Sequence, residues 1–101
     1  MTDLPVACTL TPATLKTRRE ELLSELVRRA ENREEQPDGY RLRFTPSEDA
    51  LTLIARAIGA ERLCCRFLRF YLTVEPDEGP IHLTLTGPPG TRAFLSALFD
   101  E

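Results

Sequence analysis

The sequence is poor in residues that cross-link a chain or bind metals: its 101 residues contain three cysteines and a single histidine. An odd number of cysteines cannot complete the paired disulfide framework of small secreted domains. There is no CxxC motif, so a thioredoxin-like mechanism has little support. We therefore expect reduced thiols in a reducing compartment.

The sequence also lacks an excess of positive charge and a long apolar run. Its net charge is −3 with a pI near 5.2, and its arginines alternate with glutamates, so we expect no nucleic-acid partner. No apolar stretch is long enough to span a membrane, and the first residues do not resemble a secretory leader. We expect a cytoplasmic protein with no membrane partner.

The composition fits one globular unit. A chain of 101 residues with 42% hydrophobic and 29% charged residues predicts a single domain over residues 1–101. So short a domain buries a modest core, and dimerisation or a bound metal would add to its stability. A homodimer is therefore one expectation.

The first half of the sequence predicts two strands and two helices. Alternation over Leu4 to Leu10 predicts a strand with Cys8 facing the core, followed by a long charged helix that ends within the polar stretch 31–39. A second strand follows at residues 40–44. Thr45 is then predicted to be the N-cap of a second helix, and Pro46 is predicted to be its first residue.

The second half predicts a hairpin and a short helix. From Leu68 onward apolar residues recur at every second position, which predicts a strand. After a turn the same alternation over Ile81 to Leu85 predicts a second strand, and a helix is predicted over Thr91 to Phe99. The element order β-α-β-α-β-β-α predicts an α+β fold with a four-stranded, largely antiparallel sheet covered on one face by helices. The opposite face should be solvated or meet a second subunit; it would carry Arg41, Arg43, Arg69, Tyr71, His82 and Thr84.

The chemically most distinctive segment is Glu61-Arg62-Leu63-Cys64-Cys65. Adjacent cysteines are poorly spaced for a mutual disulfide, whereas helical spacing brings Glu61 to the same face as both thiols. Thiolates suit soft or borderline metals, so Glu61, Cys64 and Cys65 predict a site for Zn²⁺, Cu⁺ or Hg²⁺. Cys8 would add a sulfur if the first strand runs beside the end of the second helix.

Two other interpretations use the same residues. Buried cysteines often serve as small hydrophobic side chains, and the protein would then be an interaction module that recognises a partner through its sheet face or first helix. Alternatively, Cys64 or Cys65 is the nucleophile of a thiol enzyme, with Arg62, Arg66 and Arg69 favouring the thiolate. His82 is predicted on the other face, so a Cys-His pair is disfavoured.

The run from Glu61 to Phe70, with the later Leu85-Thr86-Gly87-Pro88, resembles a family of small bacterial proteins that share an E-R-x-C-C-x-F-x-x-F core. The resemblance covers about the last half of the chain. It implies a heavy-metal-related role carried by Glu61, Cys64 and Cys65. Arg66 stands where the family has a proline, which bears on where the helix ends and where Cys65 points.

Overall fold

The computed structural model describes residues 13–99, with side chains described from residue 21 onward except that of Cys64. The strand predicted over Leu4 to Leu10 lies outside this range. The chain forms three helices and four strands in the order α1 (Ala13–Arg29), β1 (Asn32–Gln36), β2 (Gly39–Phe44), α2 (Glu48–Cys64), β3 (Arg69–Val74), β4 (Ile81–Thr86) and α3 (Thr91–Phe99).

The four strands form one antiparallel sheet in the order β1-β2-β4-β3. The two hairpins, β1-β2 and β3-β4, are joined through the central pair of β2 and β4. In that pair Leu42 lies opposite Leu83, and Phe44 lies opposite Ile81. The predicted α+β class, with its four-stranded antiparallel sheet and its helices on one face, is confirmed.

β1 is the element that sequence patterning did not predict. Its residues Asn-Arg-Glu-Glu-Gln are almost all exposed and show no apolar alternation, so the sequence predicts only the polar end of the first helix here. The strand is fixed by pairing with β2 and by Arg33, whose guanidinium lies 5.7 Å from the ring of Tyr40 and 5.6 Å from that of Phe99. Tertiary contacts of this kind commonly override strand propensity.

The start of α2 corrects a second prediction. Ser47, not Thr45, is the N-cap: it is extended (φ −166°, ψ 157°), and its hydroxyl accepts a hydrogen bond of 3.0 Å from the backbone N–H of Ala50. Glu48 is the first helical residue, so Pro46 lies before the helix. The Thr45 hydroxyl instead donates to the carboxylate of Glu31, which links the connection before α2 to the residue before β1.

The main core lies between the helices and one face of the sheet. The inward side chains of β2 and β4 pack against apolar side chains from each of the three helices. Leu26 of α1, Ile54 of α2 and Leu95 of α3 are all fully buried there. None of the helices within residues 13–99 is long and apolar enough to cross a membrane.

Candidate functional site

The candidate site lies at the C-terminal end of α2. One stripe of this helix carries Ile54, Ala57 and Glu61, spaced by three and four residues, and all three side chains are buried. Helical spacing therefore aims a carboxylate into the same layer as the core. At Glu61 the stripe carries an acidic side chain at a position where an apolar one would be expected.

Burial makes Glu61 an unusual residue. Its side chain is 2% exposed, whereas glutamate is among the residue types least often fully buried. Removing a carboxylate from water has a large free-energy cost unless hydrogen bonds, ion pairs or a metal compensate it. A carboxylate at this position therefore requires a partner that compensates its charge.

Cys65 lies directly beyond the helix. α2 ends at Cys64, and Cys65 is the C-cap with φ −117° and ψ 76°, outside the helical region. Its backbone N–H nevertheless donates to the carbonyl oxygen of Glu61 at 2.6 Å, which closes one last helical turn. The side chain of Cys65 is fully buried, with 0% exposure. The predicted helical turn from Glu61 to Cys65 is therefore closed by a backbone hydrogen bond, while the dihedral angles of Cys65 itself are not helical.

A small second core surrounds Cys65. It contains Cys65 and Phe67, with Leu68 and Phe94 packed against them. The rings of Phe67 and Phe94 meet edge to face, with centroids 5.1 Å apart and planes at 81°. This aromatic pair joins the segment after α2 to helix α3 and closes the apolar surroundings of the thiol.

The loop before α3 fits tightly against this cluster. A Cβ at Gly87 would lie 2.6 Å from the Oγ1 of Thr91 and 3.1 Å from the carbonyl oxygen of Phe67, so only glycine leaves room there. Thr91 is itself fully buried, and its hydroxyl donates to the carbonyl oxygen of Pro88 at 2.7 Å. The Leu-Thr-Gly-Pro segment of the resemblance therefore packs beside the segment that follows the two cysteines.

The four predicted metal ligands have different outcomes. Glu61 and Cys65 are both buried and lie on the same final turn, Cys64 is the last residue of α2, and Cys8 lies outside the described residues. Among the side chains that the structure describes, no group of three or more His, Cys, Asp or Glu residues has the spacing of a metal site. Two of the four predicted ligands, Cys8 and the side chain of Cys64, lie outside the side chains that the structure describes.

The polar face of the sheet is placed as predicted. Arg41 lies opposite Thr84, and Arg43 lies opposite His82, on the side away from the helices. The Nδ1 atom of His82 is shielded from solvent and makes no hydrogen bond within residues 13–99. His82 lies on the side of the sheet away from the helices, whereas Cys65 packs in a cluster that includes Phe94 of helix α3.

The structure also has an open pocket of about 310 Å³ beside the start of α3. Glu35, Tyr40, Arg92 and Ser96 contribute polar groups to its lining. Neither Glu61 nor Cys65 lines it. The pocket is therefore separate from the candidate site.

Comparison of the chain with protein-family models, characterised proteins and solved structures gives no match. Functional inference consequently depends on the chain's own residues and their geometry.

Proposed function

We propose that this protein binds one soft or borderline metal ion, Zn²⁺, Cu⁺ or Hg²⁺, through Cys64 and Cys65, with Glu61 as an oxygen ligand and Cys8 as a candidate further sulfur. It would act as a sensor, buffer or carrier in the cytoplasm. The observation that carries the proposal is the burial of an acidic side chain and a cysteine side chain on one hydrogen-bonded turn at the end of α2.

The chemistry of the donors supports this assignment. Two thiolates and a carboxylate form a mixed set that borderline zinc accepts, and the thiolates alone suit Cu⁺ or Hg²⁺. A metal ion at this position would interact favourably with the Glu61 carboxylate, because coordination neutralises the charge of a buried carboxylate. Because binding requires deprotonated thiols, protons compete with the metal and affinity should fall as the pH is lowered.

Native mass spectrometry of the reduced full chain tests the proposal directly. Titration with Zn²⁺, Cu⁺ and Hg²⁺ should add one ion per chain, and Cys64→Ser/Cys65→Ser should abolish that addition. Glu61→Gln should keep the sulfur-based binding and weaken zinc more than Hg²⁺, since the softer ion depends less on oxygen. Cys8→Ser is the matched single-thiol variant, and it reports whether the third cysteine contributes.

Absence of binding would contradict the proposal, and so would binding that the double variant retains. Circular dichroism of each variant, compared with wild type, shows whether a loss of binding reflects lost ligands or a lost fold. In the metal-free state the ligand variants should keep the spectrum of the wild type.

The second candidate function is a protein-interaction module whose cysteines only pack in the core. It is favoured by the exposed apolar side chains of β3, Leu72 and Val74. The third candidate is a thiol enzyme with Cys64 or Cys65 as its nucleophile; full burial disfavours Cys65 in that role, because reactive cysteines are partly exposed. We accordingly expect Cys65 to react slowly with alkylating reagents in the native protein.

A further inference from the structure

Strand β3 presents uncovered apolar side chains at one border of the sheet. Within residues 13–99 it pairs only with β4. Leu72 and Val74 lie opposite the buried Leu83 and Ile81, on the face that the helices cover, yet they are 45% and 54% exposed. An outer strand with exposed apolar side chains is a template for pairing with another strand.

The other border of the sheet, formed by strand β1, is charged where β3 is apolar. β1 carries Arg33, Glu34 and Glu35 in its middle, and charges of this kind discourage pairing between sheet edges. The six residues of β3, Arg-Phe-Tyr-Leu-Thr-Val, carry a charge only at the first position. Of the two borders formed by the described strands, the one at β3 is therefore better suited to pairing with a further strand.

One hydrogen bond shows which backbone groups of β3 point toward β4 and which point toward the open border. The N–H of Glu75 donates to the carbonyl oxygen of Pro80 at 3.4 Å, so the polar backbone groups of Glu75 point toward β4. Backbone groups alternate in direction along an antiparallel strand. Those of Phe70, Leu72 and Val74 consequently point outward, toward the open border.

The sequence of this border is complementary to itself. If two copies run antiparallel about a twofold axis at Leu72, Leu72 meets Leu72 and Phe70 meets Val74 of the second copy, all on the helix-covered face. On the opposite face, Arg69 meets Glu75 of the second copy, and the axis repeats that ion pair. Apolar side chains thus meet apolar side chains, and each positive charge meets a negative one.

We propose that β3 pairs antiparallel with β3 of a second copy of this chain, in the register centred on Leu72, to form one continuous eight-stranded sheet in a symmetric dimer. The outward backbone groups of Phe70, Leu72 and Val74 become the hydrogen-bonded positions of the new ladder. Arg69 and Glu75 then fall at non-hydrogen-bonded positions, where opposed side chains come closest.

One of these charged side chains, Arg69, makes a hydrogen bond on the polar face within its own chain. The guanidinium of Arg69 donates to the hydroxyl of Tyr71 at 3.4 Å, and this hydrogen bond raises the pKa of Arg69. The guanidinium is fully exposed and remains a cation. It keeps further N–H donors for a carboxylate across the axis.

Sedimentation equilibrium of the full chain, reduced and with a chelator present, tests the dimer independently of metal binding. Wild type should be a dimer that dissociates on dilution. Arg69→Glu and Glu75→Arg each place like charges opposite one another twice, and each should raise the dissociation constant about tenfold or more. The double variant Arg69→Glu/Glu75→Arg restores both ion pairs with reversed sign and should return the constant to within about threefold of wild type.

Two further variants keep the test specific. Glu34→Arg makes the same charge reversal on the border strand β1 and should leave the dimer intact. Leu72→Lys places two ammonium groups against each other at the axis and should give a folded monomer, as judged by circular dichroism.

A wild-type monomer across the accessible concentrations would overturn the proposal, and so would a dimer that both single charge variants leave unchanged. Amide exchange then identifies the true occupant: slow exchange at Leu72 in a monomer would show that a segment of the same chain, such as residues 4–10, pairs with β3.

Discussion

Strands β4 and β3 have the same sequence pattern and different environments. Both alternate apolar and polar residues over six positions, and both direct the apolar set toward the helices. On β4 those side chains are Ile81, Leu83 and Leu85, and each is at most 1% exposed. The corresponding positions on β3 are half-buried or exposed. Alternation thus determines which face a side chain takes, whereas burial depends on what lies beside the strand.

The largest expected effect comes from truncating the two leucines that face each other in this hairpin. Leu83→Ala leaves a cavity in the core and should lower the free energy of unfolding by about 2 to 5 kcal/mol. Leu72→Ala, its register partner on β3, should cost less than about 1 kcal/mol when measured on the monomeric chain. Urea denaturation of both variants compares them, and equal losses would mean that β3 is covered within the monomer.

A glycine tests the packing of the central pair. A Cβ at Gly39 of β2 would lie 1.8 Å from the carbonyl oxygen of Leu85 on β4, which is backbone and cannot rotate away. Gly39→Ala should therefore force the two strands apart and destabilise the protein by about 1 to 3 kcal/mol or more. Thermal unfolding measures the loss; an unchanged midpoint would contradict the tight approach of these strands.

The same substitution at an open position should have the opposite sign. Gly59 lies on the exposed side of α2 and an added Cβ meets nothing within 4 Å, so Gly59→Ala gains helix propensity without a clash. We expect stabilisation by about 0.5 to 1 kcal/mol in the same thermal assay. Destabilisation would show that the glycine serves a bend in α2 rather than only weakening it.

Sequence patterning predicted the elements whose burial is periodic. Strands β2, β3 and β4 and helices α2 and α3 all carry an apolar period that matches their geometry, and each was anticipated close to its observed position. β1 has no such period, because its stability comes from ladder pairing with β2 and from the stacking of Arg33 on two aromatic rings. The N-cap was misplaced because Thr45 and Ser47 are both good capping residues, and only the backbone dihedrals distinguish them.

For the candidate site, the sequence indicated which residues to consider and the structure added their burial. The position of Glu61 on an apolar stripe was readable from its spacing, and its 2% exposure agrees with that position. The apolar cluster around Cys65 was not readable, since Phe94 reaches it from a helix far along the chain. The exposure of the apolar side chains on β3 could not be predicted either, for a related reason. Strand order decides which strand is outermost, and alternation of apolar residues carries no information about strand order.

The most direct test of the metal proposal is the absorption spectrum of the reduced, chelator-free protein titrated with Co²⁺, a spectroscopic substitute for Zn²⁺ that takes the same ligands. We expect a thiolate-to-cobalt charge-transfer band that saturates at one ion per chain, is displaced by Zn²⁺ and disappears in Cys64→Ser/Cys65→Ser. A spectrum without that band, or one that the double variant shares, would contradict thiolate coordination at the end of α2.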